Sequence, residues 1–278
     1  MTAHPRLSLN QATIKYASLE AALRVTADAG ISSIGLWREP VAEVGLARAV
    51  ELVAGSGLRV SSLCRAGFFT MTEGPSRRAA IDDNKRAIEE TAALGAPTLV
   101  IVAGGLPEGS RDLVGARSRV RDAVGELAAF ASGAGVSLAI EALHPMYVSD
   151  RAVVSTLGQA LDIAMQFDSS AVGVVVDTFH VFWDPDVLNQ IARAGRYIAS
   201  YQVCDWATPL PSDVLLARHQ PGDGVIDFAT ITDAVLAAGY QGDIEVEIFN
   251  QQIWDAPFAS TAASTVAAFD LVIAPLLL

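Results

Sequence analysis

Residues 172–186 read VGVVVDTFHVFWDPD. The first five are apolar or glycine, and they run straight into Asp177, with His180 three positions on. An apolar run without polar alternation is the mark of a strand buried on both faces, as in a parallel sheet covered by helices. Ending such a strand on a carboxylate is costly unless a salt bridge, a catalytic partner or a metal ion compensates the charge.

The same pattern recurs along the chain. Strand-like runs fall at 7–10 (LSLN), 32–37 (SSIGLW), 59–64 (RVSSLC), 98–102 (TLVIV), 137–141 (SLAIE), 172–177 (VGVVVD), 198–204 (IASYQVC) and 244–249 (IEVEIF). Between them, apolar residues at helical spacing predict helices over 17–29, 43–55, 79–94, 112–133, 155–166, 187–195 and 229–238. Gly or Asn/Asp often closes a helix just before the next strand, as in AGSGLRV and ASGAGVSL. Eight β–α units in 278 residues predict an α/β fold, a closed (β/α)8 TIM barrel forming a single domain over residues 1–278. The rival, an open doubly wound sheet, would show a glycine-rich first turn that the sequence lacks.

Composition narrows the function. The formal charge of −12 excludes the basic footprint a nucleic-acid partner requires. No apolar run reaches the 18 or more positions of a membrane span, and MTAHPRLSLN lacks the basic and apolar blocks of a secretion signal. The expectation is a cytoplasmic protein whose only cysteines, Cys64 and Cys204, are reduced core residues.

In such a barrel the chemistry gathers at the C-terminal ends of the strands. The last four predicted strands finish near an oxygen-bearing side chain: Glu141, Asp177, Gln202 and Glu247. A barrel core requires none of them. Three carboxylates sharing one mouth would repel strongly at low dielectric, and a divalent cation removes the repulsion. Oxygen-rich ligation suits Mn²⁺ first, with Mg²⁺ or Co²⁺ as alternatives. His144, three residues past Glu141, has the ionisation range for general acid–base work, or else packs in its loop against Pro145 and Tyr147. Arg65 either reaches a substrate oxyanion or neutralises the acidic mouth. Trp37, Phe68, Phe69, Trp183 and Trp254 are candidates for an apolar wall over a substrate. Asp205 reads as an acceptor supporting the site, and PGDG (221–224) as a turn.

The motifs IEALHPMY (140–147), VVDTFHVFWDP (175–185), YQVCDW (201–206), RHQPGDGVIDF (218–228) and GYQGDIEVEIF (239–249) give the chain a resemblance to the sugar phosphate isomerase/epimerase superfamily of xylose isomerase-like TIM barrels. Over essentially its whole length the chain is similar to ketose 3-epimerases, hydroxypyruvate isomerases and inosose-modifying enzymes. Matched motif by motif, the resemblance implies metal ligation by Glu141, Asp177, Gln202 and Glu247, with Glu141 and Glu247 also the acid–base pair. It implies substrate contacts from His180 and Arg218, beside the candidates Arg65 and Trp37. Gln202 departs from the histidine expected there; its carbonyl oxygen is still a competent ligand for a hard cation.

The chemistry so implied is proton abstraction α to the carbonyl of a keto-sugar, giving isomerisation or epimerisation. A second outcome is elimination from the same enolate. The EALHPMY and YQVCDW motifs look closest to the larger subunit of C-glycoside deglycosidases, lyases of 3-oxo-C-glycosides in which His144 would be the base. That branch implies a hetero-oligomer with a small β subunit, where the others imply a homo-oligomer. A third reading is a non-catalytic sugar-binding or partner subunit whose metal site has decayed at Gln202. A DNA-repair endonuclease of related fold is disfavoured, since it needs more histidine ligands and a basic groove.

Overall fold

The computed structural model describes residues 3–277. Its strands are β1 (Leu7–Asn10), β2 (Ser33–Trp37), β3 (Arg59–Gly67), β4 (Thr98–Val102), β5 (Ser137–Glu141), β6 (Val172–Asp177), β7 (Ile198–Val203), β8 (Asp205–Trp206), β9 (Arg218–His219) and β10 (Ile244–Val246). Eight of them close a parallel barrel in the order β1–β10–β7–β6–β5–β4–β3–β2, as the strand count predicts. The two others, β8 and β9, pair antiparallel as a ribbon above the barrel mouth. All six residues of β6 are buried, which is why the sequence shows no alternation there.

The helical layer comprises α1 (Leu19–Asp28), α2 (Arg38–Val44), α3 (Leu46–Ser56), α4 (Pro75–Ala93), α5 (Leu113–Gly133), α6 (Leu157–Ala164), α7 (Thr178–Val181), α8 (Val187–Ala194), α9 (Phe228–Ala237), α10 (Gln251–Asp255) and α11 (Phe258–Val272). Helix α1 shows how the sequence sets them. Ser18 caps its start by accepting from the Ala21 amide, and Leu19, Ala22, Leu23 and Thr26 form the buried stripe. Each large aliphatic side chain so buried contributes about 1.5–3 kcal/mol. Truncating Leu19 to Ala is therefore expected to cost about 2–5 kcal/mol.

The structure corrects some boundaries. The segment 43–55, expected as one helix, is split between α2 and α3 by Gly45, whose φ of 82° lies where a side chain is disfavoured. The run 244–249 shortens to β10, although the Glu247 amide still reaches the Val203 carbonyl at 3.3 Å. Helices α7, α10 and α11 have no counterpart in the sequence reading. Both cysteines are free and buried. Among the described residues, no helix is long and apolar enough to cross a membrane.

Candidate active site

Strand register carries the candidate residues to one end of the barrel. Glu141 and Asp177 close β5 and β6, Gln202 lies beside Asp177 in β7, and Glu247 follows β10 by one residue. All four are buried. Asp177 has two duties. Its Oδ1 caps α7 by accepting from the Phe179 amide at 2.8 Å, and its Oδ2 accepts from Arg218 Nη1 at 2.9 Å. The short α7 then turns His180 back over the strand end, so that ligand-type atoms of Glu141, Asp177 and His180 lie within 4.8 Å of one another.

Arg218 reaches into this group from β9. Its Nη1 is also 3.2 Å from Glu247 Oε2, and its Nη2 is 2.9 Å from His180 Nε2. The guanidinium sits over the rings of Phe179 and Phe249, at 4.7 and 5.3 Å from their centroids. His180 Nδ1 accepts from the His144 backbone amide at 3.1 Å, and its Nε2 faces Arg218 and the carboxylates.

The electrostatics are those of an incompletely compensated acidic cluster. Burial, then repulsion from Glu247 and Asp177, holds the Glu141 carboxyl well above the usual range, against Arg218 and Arg65. Burial raises Glu247 to about 8, and raises Asp177 although Arg218 opposes it. Burial, with the Arg218 charge behind it, holds His180 well below its ordinary value, so the ring is neutral near pH 7. With all three acids ionised, three carboxylates and one guanidinium leave two negative charges, which is the complement of one divalent ion. Gln202 adds an independent sign: among the described residues, its amide oxygen and nitrogen are both buried without a hydrogen-bond partner. A buried polar pair of this kind is costly unless something else satisfies it. The donor set fits a divalent cation at Glu141, Asp177 and His180, whose ligand atoms converge, while Glu247 is tied to the group through Arg218 and Gln202 lies beside Asp177.

The site opens into a cavity of about 610 Å³, lined on this side by Glu141, His180, Arg218 and Glu247. Of the expected aromatic wall, Trp37 and Phe68 line the cavity; Phe69, Trp183 and Trp254 do not, and Phe179 and Phe249 complete it instead. Arg65 also lines it, between the rings of Trp37 and Phe68. His144 is not among the lining residues. Its ring packs against Trp206 and Trp183, at 5.1 and 5.5 Å, and its Nδ1 accepts from the Met146 amide at 3.2 Å. The loop-packing alternative thus has the geometry, with the two tryptophans in place of Pro145 and Tyr147. Asp205 is an acceptor, as expected: it takes the amides of Gly222, Gly224 and Ile226.

Sequence reasoning passed over Gln11, Tyr147 and Glu245. The first two line the cavity, whereas Glu245 lies one layer deeper, accepting from Asn10 Nδ2 at 2.9 Å. Its signal was the alternation in IEVEIF, since residues two apart on a strand face the same side.

The closed barrel and its acidic mouth define the class, and the family comparison agrees: the chain belongs to the Xylose isomerase-like TIM barrel family, whose model matches residues 23–269. It is 45% identical to the SMc04130 protein of Sinorhizobium meliloti 1021, with a TM-score of 0.93 over 96% of this chain and 98% of that one. It is similar to a 3-dehydroshikimate dehydratase of Pseudomonas putida, 37% identical over 117 residues, which is 40% of this chain and 18% of the dehydratase. A D-psicose 3-epimerase of Ruminiclostridium cellulolyticum is 27% identical over 139 residues, 50% of this chain and 43% of the epimerase. The chain thus matches under half the length of each of these two enzymes.

Proposed function

We propose that this chain is a divalent-metal-dependent enzyme that removes a proton α to the carbonyl of a keto-sugar or a related polyhydroxy ketone. The observation that carries the reading is the convergence of Glu141, Asp177 and His180, with Glu247 joined to Asp177 through Arg218, beside the amide of Gln202 that finds no partner among the described residues. A divalent cation, Mn²⁺ above Mg²⁺ or Co²⁺ for this oxygen-rich set, would polarise a substrate carbonyl and acidify the adjacent C–H.

The protein's own groups account for the rest. In its ionised form Glu247 takes the α-proton. Glu141 is the second acid–base group, returning a proton to the other face or to the neighbouring carbon. Arg218 Nη2 and His180 Nε2 lie 2.9 Å apart at the cavity wall. A substrate oxygen accepting from Arg218 places the developing negative charge against the guanidinium, with the His180 ring beside it. Trp37, Phe179 and Phe249 exclude water from the reacting carbon.

A second outcome is favoured by the dehydratase relative. If the substrate bears a hydroxyl β to the new carbanion, the electron pair expels it, a protein acid supplies a proton, and water leaves. Cleavage of a 3-oxo-C-glycoside, assisted by a small β subunit, is the variant of this elimination that the sequence motifs suggest. A shared enolate explains why epimerases and a dehydratase stand side by side among the relatives.

The test is incubation with Mn²⁺ in D₂O of D-fructose, a 3-oxo-glucoside and 3-dehydroshikimate. Deuterium entering the α position of recovered ketone supports enolisation, and product analysis separates epimer from dehydrated or cleaved product. No exchange and no product from any of them would remove the reading.

A further inference from the structure

We propose that the substrate carries an anionic group, a carboxylate or a phosphate, seated by Arg65 and Gln11 on the side of the mouth opposite the acidic cluster. This rests on the enolising reading above and gives its substrate class.

The cavity has two unlike sides. Glu141 at the end of β5 and Glu247 just after β10 present carboxylates to it, whereas Gln11 just after β1, Trp37 at the end of β2 and Arg65 near the end of β3 line the other side. On this second side Trp37 Nε1 donates to Asn10 Oδ1 at 2.8 Å, whereas the donors of Gln11 and Arg65 meet no acceptor among the described residues. Gln11 is 1% exposed; its Oε1 accepts from the Trp37 amide at 3.2 Å, and its Nε2 has no partner among the described residues. The Arg65 guanidinium lies 5.6 Å from the Trp37 centroid and 5.3 Å from that of Phe68. Among the described residues it meets neither a carboxylate nor a hydrogen-bond acceptor.

That isolation is unusual for this chain. Its other half-buried arginines, Arg6, Arg38, Arg77, Arg117 and Arg119, each donate to a protein oxygen. A half-buried guanidinium left unmatched in a chain of net charge −12 is not explained by scarcity of carboxylates. Nor is neutralisation of the acidic cluster a full account, since Arg218 already makes direct contact with Asp177 and Glu247 while Arg65 touches neither. The planar fork of a guanidinium held between two rings matches two oxygens of one anion. The Gln11 Nε2–H supplies a further donor. Tyr147 Oη, buried and unpartnered in the same cavity, is left for a substrate hydroxyl. Glu39, Glu43 and Asp150 also line the cavity, but they are exposed on its outer rim, where solvent screens them.

The experiment compares anionic ligands with neutral twins by calorimetry: 3-dehydroshikimate against its methyl ester, and D-fructose 6-phosphate against D-fructose. Each pair is measured in EDTA-stripped and in Mn²⁺-loaded protein. At least one anion is expected to bind about tenfold or more tightly than its twin, and the pair that shows it tells carboxylate from phosphate. Arg65→Met should collapse that ratio towards one, Arg65→Lys should keep part of it, and Gln11→Leu should reduce it by a few fold. The proposal is overturned by equal binding within both pairs, or by a preference that survives Arg65→Met. Failure of the enolising reading shows separately, as lack of Mn²⁺ binding or solvent exchange, while the anion preference is still read in stripped protein.

Discussion

Arg218 Nη1 donates to Asp177 Oδ2 at 2.9 Å, and both side chains are buried. This one ion pair makes the acidic mouth tolerable: it joins β9 to the end of β6 and brings the guanidinium within 3.2 Å of Glu247. Removing one partner of a buried pair leaves the other uncompensated and typically costs about 3–5 kcal/mol. Arg218→Met is therefore expected to lower the melting temperature sharply in EDTA, and Mn²⁺ should restore part of the loss because it replaces the missing charge. A variant as stable as wild type in EDTA would mean that the carboxylates do not depend on Arg218.

Glu247→Gln keeps the size and the hydrogen-bonding shape of the side chain but cannot take a proton. A positioned general base contributes about 10²–10⁴-fold, so turnover should fall within that range while circular dichroism stays unchanged. Wild-type turnover in this variant would remove Glu247 from the proton transfer.

The raised acids make metal-free stability depend on pH in a defined direction. An acid whose folded pKa lies above its unfolded value gives full stability below the unfolded value and loses it as pH rises towards the folded one. For Glu247 that interval runs from its ordinary 4.5 to about 8, and Glu141 moves the same way. His180 is depressed, so its contribution is lost only as pH falls below its ordinary 6.5. Stripped wild type should accordingly lose stability relative to Glu247→Gln as pH climbs from about 4.5 to about 8. The rise in melting temperature on adding Mn²⁺ should grow over the same interval. A metal effect independent of pH there would contradict ligation by these carboxylates.

The barrel was legible because a parallel strand buried on both faces needs an unbroken apolar run, and a carboxylate ending such a run stands out. Glu141, Asp177 and Glu247 stood out in this way, and Gln202 through the matched motifs. Less legible were features without periodicity. Gln11 follows β1 directly and Phe179 sits in the single turn of α7, so neither belongs to an amphipathic pattern. Helix α11, rich in Ala, Ser and Thr and lacking a side-chain cap, gives little contrast between its faces. The partnering of Arg218 with Asp177 was invisible for another reason: it joins residues 41 apart through a ribbon of two-residue strands.

Asp205 holds the loop beyond that ribbon. Three backbone amides at 222–226 converge on its carboxylate at 2.8–3.0 Å, and Asp205 pairs in register with His219, next to Arg218. Hydrogen bonds to a charged group contribute about 1.5–3 kcal/mol each, with losses shared when the loop relaxes. Asp205→Ala should raise amide hydrogen exchange at 222–226 and weaken substrate binding through Arg218. It should affect kcat less than KM. Unchanged exchange would show the loop to be held by something else.

His144 is the residue on which sequence and structure pull hardest against each other. Its sequence position suggests a base, yet its ring packs on Trp206 and Trp183 outside the cavity lining, and its contact with His180 runs through the backbone amide. An alanine there keeps that amide. It removes only a ring whose pKa burial lowers, hence a neutral one near pH 7. If Glu141 and Glu247 carry the proton transfers, His144→Ala should cost less than about tenfold in turnover, since no positioned acid or base is lost, together with about 1–2 kcal/mol of packing. A loss of about 10² or more with the fold intact would mean that the loop brings this imidazole to the substrate during turnover. Such a loss, accompanied by an eliminated rather than an epimerised product, would make His144 the base of the elimination.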